Sequence, residues 1–106
     1  MPKKKQQFKD IVGSEKPTIV DFFATWCGPC KMMKPVLKEL SSDLKGKARI
    51  LKIDIDKNKQ LANKLEVRSV PTIAIYQRGR IVWRKSGAMT KVQLAKALKP
   101  YLVAEG

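Results

Sequence analysis

Histidine is absent from this chain. That removes imidazole general bases, Ser-His and Cys-His nucleophile pairs, and imidazole metal ligands. Cysteine occurs only twice, at Cys27 and Cys30, too few for a disulfide-stapled secreted scaffold. A zinc site built on those two thiolates would need two further ligands, so no metal is expected. No apolar run approaches the ~18–20 residues of a membrane span, so no membrane contact is expected. The start, Met1-Pro2-Lys3-Lys4-Lys5-Gln6-Gln7-Phe8, is basic but leads into no signal-peptide hydrophobic stretch. The chain therefore reads as cytoplasmic, unless a leader has been trimmed from it. Acidic residues are scarce, 9 against 23 Lys and Arg, for a net charge of +14. This imbalance favours acidic partners and says nothing about fold. Nucleic acid is disfavoured, because the lysines are scattered and no aromatic-basic binding motif is present.

With 106 residues, 43% of them apolar, the chain has the size and composition of one domain, residues 1–106, with a real core. It is expected to be a monomer. Its chemistry centres on Ala24-Thr25-Trp26-Cys27-Gly28-Pro29-Cys30-Lys31. The preceding run, residues 18–24, is apolar on both faces, which marks a central strand covered on two sides. Asp21 interrupts that run, and a carboxylate there should have its pKa raised by desolvation. A helix over residues 29–44 follows, with Met33, Val36, Leu37, Leu40 and Leu44 at helical spacing. The cysteines thus stand at a strand-to-helix junction. Unpaired amides and the positive end of the helix dipole meet there. A Cys27 thiolate should form more readily than that of a free thiol, with its pKa of about 8.5. Cys30, three residues on, is expected on the same helical face.

Elsewhere, residues 5–12 suggest a helix with Phe8, Ile11 and Val12 inward, closed by Gly13 as a helix exit. Pro35 should kink the helix after the cysteines, and Lys45-Gly46-Lys47 should end it. Residues 48–55 read as a second strand, parallel to the first through a right-handed crossover. Asn58 is placed to cap a short helix with Leu61, Ala62 and Leu65 inward. Residues 72–76 and 81–85 form an antiparallel hairpin around Arg78-Gly79. Arg78 is poorly suited to a positive φ, which leaves a longer loop open. Thr90-Lys91-Val92-Gln93 is a capping box opening a last helix that carries Leu94, Leu98 and Leu102 and bends or ends near Pro100. The sum is an α/β fold: a βαβ unit, then a ββα unit, forming one central mixed sheet with helices on both faces.

Trp26-Cys27-Gly28-Pro29-Cys30-Lys31 resembles the active-site motif of the thioredoxin family, and the match extends over nearly the whole chain. Asp21 stands where that family has its buried carboxylate, and Pro35 where it has its kinking proline. Lys52 looks like the family's strand lysine near the carboxylate. Val70-Pro71-Thr72 looks like its cis-proline segment. Gly79 and Gly87 match glycines that shape the hairpin and substrate groove. Phe23 departs from the pattern, replacing a second tryptophan. The high positive charge is also unusual.

The resemblance implies a thioredoxin fold and dithiol–disulfide exchange with protein disulfides. Cys27 would be the nucleophile and Cys30 the resolving thiol, the two forming a redox-active disulfide with no bound cofactor. Asp21, with Lys52 as its partner, would accept the Cys30 proton. Gly28 and Pro29 would tune the redox poise towards a reductant. Trp26, Val70, Pro71, Gly87 and Ala88 would contact substrate together with Gly28 and Pro29. Electrons would come from NADPH through a flavin enzyme, thioredoxin reductase, and pass to peroxidases and reductases. Lys31, Lys34 and Lys38 either steer acidic partners or form a solvated face. Met32 and Met33 are core or rim. Two alternatives stand beside this reading: a disulfide oxidase or isomerase of an exported compartment, and a non-catalytic binding module.

Overall fold

The computed structural model describes residues 7–103. In chain order they form α1 (Phe8–Val12), β1 (Thr18–Phe23), α2 (Gly28–Leu44), β2 (Arg49–Asp54), α3 (Lys59–Lys64), β3 (Thr72–Gln77), β4 (Arg80–Ser86) and α4 (Lys91–Leu98). A 3-10 turn, Lys99–Tyr101, follows α4, so the last helix ends where Pro100 enters. The first residues of the helix expected over 5–12 lie outside the described residues.

The sheet order is β2-β1-β3-β4. β1 and β2 pair in parallel, with α2 as the crossover; β1–β3 and β3–β4 are antiparallel. β1 and β3 are the inner strands and are buried along almost their whole length, whereas β2 and β4 are partly exposed edges. This is why residues 18–23 are apolar on both faces. Ile19, Ile73 and Ile75 meet Met33, Leu37 and Leu40 of α2 and Leu94 and Leu98 of α4 on one side. Val20, Phe22, Ala74 and Tyr76 meet Val12 and Phe8 of α1 on the other, with Leu65 and Val67 beyond α3. The mixed α/β sheet with helices on both faces is therefore present.

Several local expectations change. The hairpin turn has two residues, Arg78 (φ 54°) and Gly79 (φ 79°). Arg78 tolerates the left-handed conformation because the α1–β1 loop grips the turn. The Arg78 and Gly79 amides donate to the Ser14 and Val12 carbonyls at 2.9 Å, and the guanidinium reaches Glu15 at 3.3 Å. Gly13 closes α1 with an ordinary φ of −76°, not a left-handed one. Glycine suits the position because a Cβ there would stand 3.0 Å from the Lys9 carbonyl oxygen. Asn58 occupies the N-cap of α3, yet its side chain caps nothing; it donates to the Asp54 carbonyl at 2.9 Å. The capping box of α4 is complete, with Gln93 N–H donating to Thr90 Oγ1 at 3.1 Å and Thr90 N–H to Gln93 Oε1 at 3.0 Å. α2 runs as one element through Pro35 and ends at Lys45 (φ 48°), followed by Gly46 (φ 83°).

Candidate active site

Where β1 ends, the chain turns through Ala24-Thr25-Trp26 and enters α2 at Gly28. The turn closes with Cys27 N–H donating to the Ala24 carbonyl at 3.2 Å. Cys27 has extended backbone angles (φ −90°, ψ 111°) and is the N-cap of α2. Its Sγ accepts the Cys30 N–H at 3.1 Å, the place usually taken by a Ser, Thr or Asp oxygen. Cys27 therefore does not share a helical face with Cys30, as its spacing suggested, because it lies one residue ahead of the helix. Proline in the first turn gives up only an N–H that would have had no helical partner. Cys27 and Cys30 are joined as a disulfide, Cα–Cα 5.3 Å, and both are nearly buried. Ala24 packs on them, with Phe23, Ile55 and Val70 around the cluster.

A second segment, just ahead of β3, reaches Cys27 Sγ. The Val70–Pro71 peptide bond is cis, and the Val70 carbonyl oxygen lies 3.6 Å from Cys27 Sγ. Pro71 is buried, and its carbonyl accepts the Gly87 N–H at 2.8 Å. Gly87 has φ 103°, a conformation few side-chain-bearing residues adopt. Gly28, Pro29, Gly87 and Ala88 are exposed, and Val70 is half-buried. Trp26 is 68% exposed, and its indole N–H donates to Asp56 Oδ2 at 2.9 Å. Nothing in the sequence pattern marked Asp56 as the residue that holds the ring. Met33 is fully buried and its thioether accepts the Met89 N–H at 3.2 Å, tying the Gly87-Ala88 segment to α2; Met32 is exposed. That link too lacked a sequence signal.

Asp21 is 3% exposed and its Oδ1 has no hydrogen-bond partner among the described residues. Burial pushes its pKa from 3.8 to about 6, with the Lys52 ammonium holding it partly down. Lys52 is the register neighbour of Asp21 across the β1–β2 pair. It is exposed, and no ion pair joins the two groups within 4 Å. The expected partnership is thus an influence through space. Asp21 and Cys30 line one cleft of about 320 Å³, with Phe23, Lys31, Lys34 and Lys52 on its walls. Cys27 is not part of that lining. Phe23, in the place of a second tryptophan, packs between this cleft and the disulfide cluster. Among the described residues no three Cys, Asp or Glu side chains gather as a metal-ligand set.

This arrangement suits sulfur–sulfur exchange. One sulfur accepts the N–H of the first helical turn, the other shares a cleft with a carboxyl whose pKa burial raises to about 6, and a backbone carbonyl and an exposed indole border the pair. The thioredoxin family model matches residues 1–100. A thioredoxin of Staphylococcus aureus is 50% identical over 84 residues, which cover 79% of this chain and 81% of that protein. The bifunctional thioredoxin reductase/thioredoxin of Mycobacterium leprae is 44% identical over 91 residues, 86% of this chain but only 20% of that longer protein. Among solved structures, a mutant thioredoxin from Halobacterium salinarum superposes with a TM-score of 0.84 at 30% identity, over 97% of this chain and 89% of its own.

Proposed function

The chain belongs to the thioredoxin family and is a thiol–disulfide oxidoreductase that reduces protein disulfides; from that premise we propose how its residues divide the reaction. The Cys27 thiolate attacks one sulfur of a bound disulfide. A Cys27–substrate bond forms, the substrate's own S–S bond breaks, and one substrate thiolate leaves. Asp21 then takes the Cys30 proton through water in the shared cleft. The Cys30 thiolate attacks Cys27 Sγ, expels the second substrate thiolate and closes the Cys27–Cys30 disulfide. Two electrons pass to the substrate, and its two thiolates take up protons.

The observation that carries this division is the Cys30 N–H pointing at Cys27 Sγ over 3.1 Å. That donor stabilises negative charge on Cys27 and not on Cys30. Asp21 reaches the cleft lined by Cys30, which suits the resolving step. Trp26, Gly28, Pro29, Val70, Pro71, Gly87 and Ala88 form the surface that receives substrate. The Val70 carbonyl oxygen lies 3.6 Å from Cys27 Sγ, where an extended substrate segment can pair with the Val70 backbone.

The Gly28-Pro29 insert makes the protein a net reductant, working in the cytoplasm as a one-domain monomer. Its electrons come from NADPH through a flavin thioredoxin reductase, and peroxidases and reductases are its targets. The name of the Mycobacterium leprae relative, which pairs the two activities, supports such a reductase as partner. The test is insulin-disulfide reduction driven by NADPH and thioredoxin reductase. The wild-type chain should turn over and Cys27→Ser should not. Turnover by Cys27→Ser equal to wild type would end the assignment of the nucleophile. A strongly oxidising potential would replace the reductant with an oxidase.

A further inference from the structure

Charge is sorted across α2. Its only two acids, Glu39 and Asp43, face α4 and are bridged there by Lys91, at 3.7 and 2.9 Å. Its lysines Lys31, Lys34 and Lys38 line the clefts on the opposite, β2 side, beside Lys52 of β2. None of these four lysines has a carboxylate within 4 Å among the described residues. The cleft at Cys30 shares Lys34 and Lys52 with a second cleft of about 290 Å³, floored by Leu37 and Ile50 and rimmed by Lys38 and Ser41. The two make one groove that starts at the resolving cysteine and runs outward between α2 and the edge strand. Asp21, its single acid, is buried at the inner end.

Building on the reading above, we infer that this groove is a docking site for an acidic, extended segment of the protein whose disulfide is being reduced. From Lys31 to Lys38 the helix rises about 10 Å, at ~1.5 Å per residue. An extended chain covers that length in roughly three residues, at ~3.3 Å each. The groove thus matches a short run of Asp or Glu flanking the substrate cysteine. A carboxylate there would meet unpaired ammonium groups, and its chain would lie along an apolar floor. Such a tether raises the local concentration of the disulfide at Cys27. Nucleic acid fits less well, because Phe23 at the inner end is the groove's only ring on which a base could stack.

The experiment uses three disulfide substrates: one cystine peptide flanked by Glu residues, the same peptide flanked by Lys, and uncharged 2-hydroxyethyl disulfide. kcat/KM for each peptide is divided by that for the uncharged disulfide, so a poorly folded variant cannot mimic the effect. Wild type should favour the acidic peptide over the basic one by roughly three- to tenfold at low salt, as a few partly exposed ion pairs allow. The preference should collapse in ~0.5 M salt. Lys34→Glu/Lys38→Glu should abolish or invert it, and Lys96→Glu/Lys99→Glu, in the α2–α4 cleft and outside this groove, should keep most of it. Equal loss in both double variants would overturn the inference in favour of the overall positive field. So would no preference in wild type, or tighter binding of a single-stranded oligonucleotide than of the acidic peptide at the same salt. Insulin reduction that persists while the preference is missing would remove the groove alone and leave the exchange chemistry standing.

Discussion

Asp21→Asn isolates what a buried carboxyl does to this fold. The native carboxyl titrates at about 6, against 3.8 as an ordinary aspartate. Between those values the native chain holds a proton that the unfolded chain has released. Native protein therefore binds more protons than unfolded protein, and stability falls as pH rises through that window. Above the native value the loss is complete, and amounts to about 3 kcal/mol at ~1.4 kcal/mol per pH unit. Working the two titrations through, the loss is about 0.6 kcal/mol at about pH 4 and about 3 kcal/mol at about pH 8. Asparagine cannot ionise, so the variant escapes this loss while keeping the side chain's size. Urea unfolding of the oxidised proteins, with the cysteines locked against titration, gives the measurement. The stability of Asp21→Asn minus that of wild type should grow by about 2.4 kcal/mol from about pH 4 to about pH 8. Taking the growth with pH cancels any fixed cost of the amide. A difference constant to within about 0.5 kcal/mol across that range would refute the buried, ionisable Asp21 on which the proton-acceptor role depends.

Other substitutions test the remaining geometry. Cys30→Ser should accumulate a Cys27–substrate mixed disulfide visible by mass spectrometry, whereas Cys27→Ser should give none. In pre-steady-state mixing, Asp21→Asn should slow decay of that adduct far more than its formation; equal slowing would count against a role in resolution. Arg78→Asn should raise stability by about 0.5–1 kcal/mol in urea with an unchanged m-value, since asparagine accepts a positive φ more easily than arginine. Met33→Leu keeps the volume but removes the acceptor for the Met89 N–H. It should cost about 1 kcal/mol, speed hydrogen exchange at the Met89 amide, and raise KM for insulin more than for a small disulfide.

The features legible in the sequence are those whose causes lie close together along the chain. β1 shows itself because an inner strand is apolar on both faces, here through Ile19, Val20, Phe22 and Phe23 within six residues. The capping box at Thr90 and Gln93 joins residues three positions apart, and both of its bonds form. Misread features have partners far away. Arg78 looked unfit for a tight turn because the atoms that hold it, on Val12, Ser14 and Glu15, lie over sixty residues earlier. Trp26 gained a partner thirty residues on, in Asp56, and Met33 one fifty-six residues on, in Met89. Asn58 was expected to accept helix amides through its side-chain oxygen; instead its side-chain amide donates to the backbone carbonyl of Asp54, four residues back. Spacing shows which face a side chain presents. It does not show which distant atom will be waiting there.

Asp21 is where local and distant causes conflict, and the conflict bears on function. An apolar residue at that point of β1 would bury without a hydration penalty. Asp21 instead leaves one oxygen unpaired and has no ion pair, so the fold draws no evident stability from it at neutral pH. Lys52 lowers its pKa without pairing, against the larger raising effect of burial, and the carboxyl rests at about 6. A base works best when its pKa lies near the working pH. On the proposed division of the reaction, a carboxyl lining the same cleft as Cys30 would meet that condition. On that proposal, the same burial that weakens the native state is what would make the group useful. Replacing Asp21 should therefore gain stability and lose turnover together.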